Sequence, residues 1–256
     1  MTITVSCDER GVATVTLDRP DVHNALEAAT MDALTAFARA PDARVVVLTG
    51  AGASFCAGGD LRWMRAQFDA TPEGRRREAE RLAHMLGALD AMDVPLVARV
   101  NGAAFGGGVG MACVADVAVA SQEAKFGLTE TRLGLIPATI GPYVVGRMGE
   151  GRARQVFMSS RRFGADEAVR LGIVARAVPA ADLDAAVEAE VAPYLACAPG
   201  AVRDAKRLAR MLGGSVTEDT VARSIDALMA RWEDPEAREG VGAFFDRRKP
   251  DWSTEG

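Results

Sequence analysis

Asn101-Gly102-Ala103-Ala104-Phe105-Gly106-Gly107-Gly108-Val109-Gly110 is the stretch on which the reading of this chain turns. The short apolar run Leu96 to Val100 precedes it and Met111-Ala112-Cys113-Val114-Ala115 follows. It therefore reads as strand, tight turn, glycine loop and helix start. Consecutive glycines let backbone N–H groups approach a ligand, and the free amides and dipole of a helix N-terminus favour negative charge there. The loop is a candidate anion or oxyanion site.

Working outward, an upstream counterpart is Phe55-Cys56-Ala57-Gly58-Gly59-Asp60-Leu61, which follows the strand-like run Val45 to Thr49 and the turn Gly50-Ala51-Gly52-Ala53. One such loop is weak evidence, because glycines also serve simply to make turns. Two loops, each after a strand and each opening toward a helix, supply one amide apiece to a developing oxyanion.

The flanking sequence predicts strands alternating with helices, followed by a helical tail. Ile3, Val5 and Cys7, a turn at Glu9-Arg10-Gly11, and Val12 to Leu17 read as an opening hairpin. A helix ending near Pro41 precedes the strand at Val45, an order that favours a right-handed crossover. Leu61 to Gly74 reads as a helix and mobile loop, Arg75 to Met92 as an amphipathic helix, and Asp116 to Ala120, Ala124 to Gly127 and Ile173 to Val178 as further strands. Short helices are expected near Tyr143 to Met148, Gly151 to Met158 and Ala165 to Leu171. Ala181 to Leu195, Ala201 to Leu212, Thr217 to Trp232 and Pro235 to Phe245 read as the helical tail. The fold class is α/β with a helical C-terminal extension. No internal repeat is visible.

Composition narrows the function. At 256 residues, with 49% hydrophobic and 25% charged residues, the chain suits one core-bearing domain with extensions. A net charge of −5 gives no reason to expect nucleic acid, and the one dense basic run, Arg75-Arg76-Arg77, reads as the solvated face of a helix. Cys7, Cys56, Cys113 and Cys197 lack C-x-x-C spacing and read as reduced thiols; His23 and His84 are too far apart in sequence to suggest a metal site. No signal-peptide pattern and no apolar run of about 18 residues is present, so a cytoplasmic protein without a membrane partner is expected.

The segments FCAGGDL and NGAAFGGGVG, followed by KFGLTETRLGLIP at Lys125 to Pro137, resemble the enoyl-CoA hydratase/isomerase (crotonase) family in order and spacing, and the resemblance extends to RRKPDW near the C-terminus. It implies a crotonase-like ββα spiral core over residues 1–195 and a helical oligomerisation region over 196–256, assembled as a homotrimer or dimer of trimers. It also implies an acyl-CoA thioester substrate whose carbonyl is polarised by the N–H groups of Ala57 and Gly107, with no separate cofactor, because coenzyme A is the handle of the substrate. Ala25, Gly58, Gly59, Asp60, Gly106, Gly110 and Lys249 are the positions it assigns to substrate or coenzyme A. Asp60 is also read as a helix cap, His23 as a packing residue or an adenine contact, and Cys56 as a packing residue.

The chain departs from the family at one informative place. Hydratases of this family place a glutamate at the end of the glycine loop and a second in the third motif; here the first position is Gly110 and only Glu130 remains. Loss of the first glutamate is expected to free volume beside the β-carbon for a branched chain. The run from Phe126 to Arg154 resembles the hydratases of 3-methylglutaconyl-CoA and isoprenoid-glutaconyl-CoA. A hydratase using Glu130 alone is the main reading; a Δ3,Δ2-enoyl-CoA isomerase and an acyl-CoA binding protein without catalysis are the alternatives. A dinucleotide site at Gly106 to Gly110 fits poorly, since the glycines do not match G-x-G-x-x-G.

Overall fold

In the computed structural model, which describes residues 2–214 and 216–252, the chain opens with the antiparallel hairpin β1 (Ile3–Cys7) and β2 (Val12–Leu17). Helix α1 (Ala28–Arg39) leads into β3 (Val45–Gly50). From β3 onward the chain repeats one move: a strand in one sheet, a three-residue strand in a second sheet, then helix. The first turn is β3, β4 (Ser54–Cys56), α2 (Leu61–Asp69) and α3 (Pro72–Asp90). The second is β5 (Leu96–Val100), β6 (Ala103–Phe105) and α4 (Gly107–Val114). The third is β7 (Val117–Ser121), β8 (Lys125–Gly127) and, beyond a helical turn at Glu130–Leu133, α5 (Gly141–Met148) and α6 (Glu150–Phe157). This is a ββα spiral. β9 (Arg162–Gly164), α7 (Ala165–Leu171) and β10 (Arg176–Val178) complete the sheets. The tail is α8 (Leu183–Leu195), α9 (Pro199–Gly213), α10 (Glu218–Glu233) and α11 (Pro235–Phe245).

Among the described residues the larger sheet runs β1-β2-β3-β5-β7-β10, parallel except for the first hairpin, and the smaller runs β4-β6-β8-β9 with only β9 antiparallel. β3 is apolar without alternation because both its faces are covered. Val45 and Val47 pack with Val97 and Val119 against Leu183, Val187 and Val191 of α8. Val46 and Leu48 face the opposite way, into a core with Leu34, Leu86 and Val109. Each such side chain contributes about 1.5–3 kcal/mol by leaving water.

The expected mobile loop before Arg75 is replaced by two helices with only Ala70 and Thr71 between them. Thr71 explains the difference: its hydroxyl accepts the Gly74 N–H at 3.1 Å and Pro72 occupies the first helical position, so α3 begins ahead of its apolar stripe. Helix α10 packs on α3 and α11 on the helical turn at Glu130–Leu133, so that Ile225, Leu228, Ala237 and Val241 share one apolar cluster with Ala79, Ala83 and Leu135. Helix α9 leaves Leu208, Met211 and Leu212 exposed.

The loop between β2 and α1 ties the first turn of the spiral together. His23 and Asn24 adopt positive φ of 53° and 56°. Asn24 is buried; its Oδ1 accepts the Arg19 N–H at 3.0 Å, and its Nδ2 donates to the carbonyls of Ala51 and Ser54, each at 2.8 Å. Asn24→Ala leaves these three backbone groups without that partner, and urea unfolding is expected to show a loss of about 2–4 kcal/mol.

Candidate active site

Parallel pairing of β4 with β6, Ser54 opposite Ala103 and Cys56 opposite Ala104, delivers the two glycine loops side by side. The first loop is almost fully hydrogen-bonded. The Ala57 N–H donates to the His23 carbonyl at 3.0 Å, the Leu26 N–H to Gly58 O at 2.7 Å, and the Asp60 N–H to Leu26 O at 2.8 Å. Gly59 N–H is left without an acceptor among the described residues. In the second loop the Gly106 N–H donates to Gly127 O, and Gly107 opens α4, where a first-turn amide has no intrahelical acceptor. Gly59 on the first loop and Gly107 on the second thus each carry a free amide. This corrects the expectation for Ala57, whose amide is committed to the neighbouring turn.

Both free amides border a cavity of about 350 Å³ that is also lined by Ala57, Gly58, Gly106 and Glu130. Glu130 starts the helical turn after β8 and reaches back under the second loop. Gly106 has φ +47°, and a Cβ there would lie 3.0 Å from Glu130 Oε1, so a side chain is excluded by backbone conformation and by the carboxylate together. Glu130 Oε2 is closed to water and has no hydrogen-bond partner. Burial accordingly pushes the Glu130 carboxyl up to about 7, against a smaller opposing effect from its own backbone amide. A carboxyl so placed exchanges its proton near neutrality.

The other expected positions separate. Gly110 is not in the cavity wall: it is buried inside α4, and a Cβ there would meet Leu86 Cδ1 at 3.0 Å and Ile140 Cγ2 at 3.1 Å. The volume expected beside it is filled by those two side chains. Ala25 is buried outside the cavity wall, its carbonyl accepting Arg19 Nη1 at 2.5 Å. Asp60 likewise lies off the main cavity. Its carboxylate accepts the amides of Arg62 and Trp63 and pairs with Arg19 at 2.9 Å. Burial opposes its ionisation, yet the Arg19 guanidinium and the two amides hold it below its usual range. Capping, not substrate contact, is its geometry. Lys249 is exposed beyond α11 and does not line the cavity. His23 Nδ1 lies 3.0 Å from Ser54 Oγ, and Cys56 is buried with its thiol pushed up to about 12.

The cavity continues past the loops between α2, α3 and the C-terminal helices. Trp63, Met64, Gln67, Arg75, Glu78, Leu82, Leu228, Trp232 and Phe244 contribute to its wall. Trp63 donates its indole N–H to Glu78 Oε2 at 2.7 Å, and Arg81 pairs with Glu78 Oε1. Trp63 and Met64 stand on the apolar side of α2. Gln67 and Glu78 carried no signal, because nothing local distinguishes a polar residue facing a cavity from one facing water. Arg132 lines this cavity; Arg147 lies in a different depression, bonded to the Ala115 carbonyl.

Residues 8–255 match the enoyl-CoA hydratase/isomerase family model. The chain belongs to that family. A probable enoyl-CoA hydratase of Rhodobacter capsulatus is 38% identical over 251 residues, spanning 94% of this chain and 93% of the relative. A crotonyl-CoA hydratase of Syntrophomonas wolfei is 32% identical over 94% of both chains. The crystal structure of an enoyl-CoA hydratase from Shewanella pealeana superposes with a TM-score of 0.78 at 35% identity, covering 98% of this chain and 96% of that one. With these relatives matched over nearly their full length, the chain is an enzyme of this class.

Burial of Glu130 has a consequence for stability. Its folded pKa lies above the ordinary 4.5, so folding favours the protonated form, and stability is lost as pH rises from about 4.5 through about 7. Glu130→Gln removes that titration. Thermal unfolding is expected to show the variant gaining on the native protein between pH 5 and pH 8, by at most about 3 kcal/mol.

Proposed function

We propose that this enzyme hydrates the α,β-double bond of an enoyl-CoA thioester, with the Gly59 and Gly107 amides holding the thioester oxygen and Glu130 moving the proton. The observation that carries the reading is the Glu130 carboxyl, whose Oε2 is buried and unpartnered, in the same cavity wall as the two loops that carry the free amides. Negative charge appears on the thioester oxygen only as the reaction proceeds, so fixed donors stabilise the transition state more than the bound substrate.

Ionised Glu130 takes a proton from water as the water oxygen bonds to C3. The C2–C3 π pair then forms the C1–C2 bond of an enolate whose charge rests on the oxygen between the amides. Collapse of the enolate returns a proton from Glu130 to C2, so one water is gained and the carboxylate is regenerated. Coenzyme A enters as the handle of the substrate. A glutamate at position 110 would share this work, but that space holds Leu86 and Ile140, so one carboxyl serves both proton transfers. The same observation favours a second reading: an isomerase in which Glu130 carries a proton from C2 to C4 without water. The filled space also gives a branched β-carbon no extra room. The exposed apolar face of α9, with Leu208, Met211 and Leu212, supports extending the proposal to a subunit contact in a homotrimer.

Incubation with a panel of straight and 3-methyl-branched enoyl-CoA esters, followed by mass, tests the reaction. A gain of one water that falls by at least about a hundredfold in Glu130→Gln is expected. A shifted double bond without mass change would select the isomerase, and absence of turnover in the native protein would sink both. For the hydratase, kcat/KM is expected to rise with pH and level off above about 7, as Glu130 ionises in the free enzyme.

A further inference from the structure

The turn that carries Glu130 begins where the smaller sheet runs out. β9 pairs antiparallel with β8 from Lys125 opposite Gly164 to Gly127 opposite Arg162. Continuing that register would set Ser160 opposite Thr129, but the ladder stops at Gly127 and the chain enters the helical turn at Glu130–Leu133. The Glu130 carboxyl is held by its own backbone amide, and Oε2 has no partner. Its aim is therefore set by the backbone of the turn.

Ser160 takes over where the ladder ends. Its Oγ accepts the Arg132 N–H at 2.9 Å, a shorter contact than the 3.3 Å from the same amide to the Thr129 carbonyl. Ser160 Oγ also lies 2.6 Å from Thr131 Oγ1, which in turn donates to the Met158 carbonyl at 3.1 Å. A hydroxyl carries one proton, so with Thr131 donating to Met158 the Ser160 hydroxyl donates to Thr131. The two residues that follow Glu130 are thus both tied, through one oxygen, to the segment entering β9.

This arrangement strains the backbone. Among the described residues His23, Asn24, Ser160 and Arg247 are the non-glycine residues with positive φ, and of these Ser160 alone lines the cavity. Its φ of 50° lies in a region that glycine enters freely and serine does not. Such conformations persist where the surroundings enforce them, and they gather at functional sites. A glycine would adopt this backbone without strain but would supply no hydroxyl. We infer that Ser160 is a positioning residue for Glu130: its strained backbone brings the hydroxyl to Thr131 and the Arg132 amide, and these contacts fix the turn from which the carboxyl projects. Little slack exists there, since a Cβ on Gly106 would already lie 3.0 Å from Glu130 Oε1. The inference rests on the proton-transfer role proposed for Glu130 and names what holds that group in place.

Ser160→Gly removes the hydroxyl and relieves the backbone at once, which separates positioning from stability. With an enoyl-CoA ester that the native enzyme turns over, kcat is expected to fall on the order of tenfold in this variant. KM, and the Kd of a saturated acyl-CoA thioester measured calorimetrically, should stay within about twofold, because substrate binding is left alone. Thr131→Val keeps Ser160 and its strained backbone but denies the hydroxyl its acceptor, and should lower kcat in the same direction by a smaller factor. If Ser160→Gly fails to fold, Thr131→Val decides by the same split. A kcat within about twofold of native in Ser160→Gly would overturn the inference while leaving the acyl-CoA reading intact. Equal losses of kcat and thioester binding, or failure of both variants to fold, would make the contacts merely structural and overturn it too. Absence of turnover in the native protein would overturn the proposed reaction and this inference together.

Discussion

The two glycine loops are held so closely that main chain rests on main chain. A Cβ at Gly108 would lie 2.5 Å from the Cys56 carbonyl oxygen, a distance no side chain tolerates. Pairing of β4 with β6 needs this approach, and the approach puts the two unbonded amides on one cavity. The larger sheet serves the same end. Its parallel strands deliver successive loops at the same edge, and burial of both its faces fixes their register against slippage. The geometry of two amides is thus set by backbone packing, which is stiffer than any arrangement of side chains.

Against that fixed frame stands the Glu130 carboxyl. Glu130 Oε2 has no hydrogen-bond partner, and the place from which a second carboxyl would reach it is occupied by Leu86 and Ile140. Its own backbone amide offsets only part of the cost of burial, so burial dominates its proton affinity. The same desolvation that weakens the folded state at high pH makes the carboxylate a stronger base than it is in water.

Much of this was legible in the sequence because it depends on local pattern. Both glycine loops, the strand Leu96–Val100 and the helices Ala165–Leu171 and Pro235–Phe245 lie where apolar runs and breakers put them. Of the second sheet only the strand at Lys125–Gly127 was legible, since strands as short as Ser54–Cys56 or Arg162–Gly164 show no alternation to read. Nor does the sequence display its repeat, because the recurring unit is a path through two sheets and not a pattern of residues. Choosing between Ala57 and Gly59 as donor required knowing that the His23 carbonyl, 34 positions before Ala57, takes the Ala57 amide.

The C-terminal helices look in sequence like an appendage, yet they close the cavity. Leu228, Trp232 and Phe244 stand in its wall, and Arg231 donates twice to the carbonyl of Gly134, at 2.8 and 3.0 Å, just beyond the turn that carries Glu130. The loops and carboxyl that would do chemistry are encoded before residue 135, while three residues in the wall of the distant end, Leu228, Trp232 and Phe244, are encoded after residue 220. A change of side chain at any of these three positions would reshape that end of the cavity without touching either glycine loop or Glu130, so this part of the cavity's shape can vary independently of the residues beside the loops.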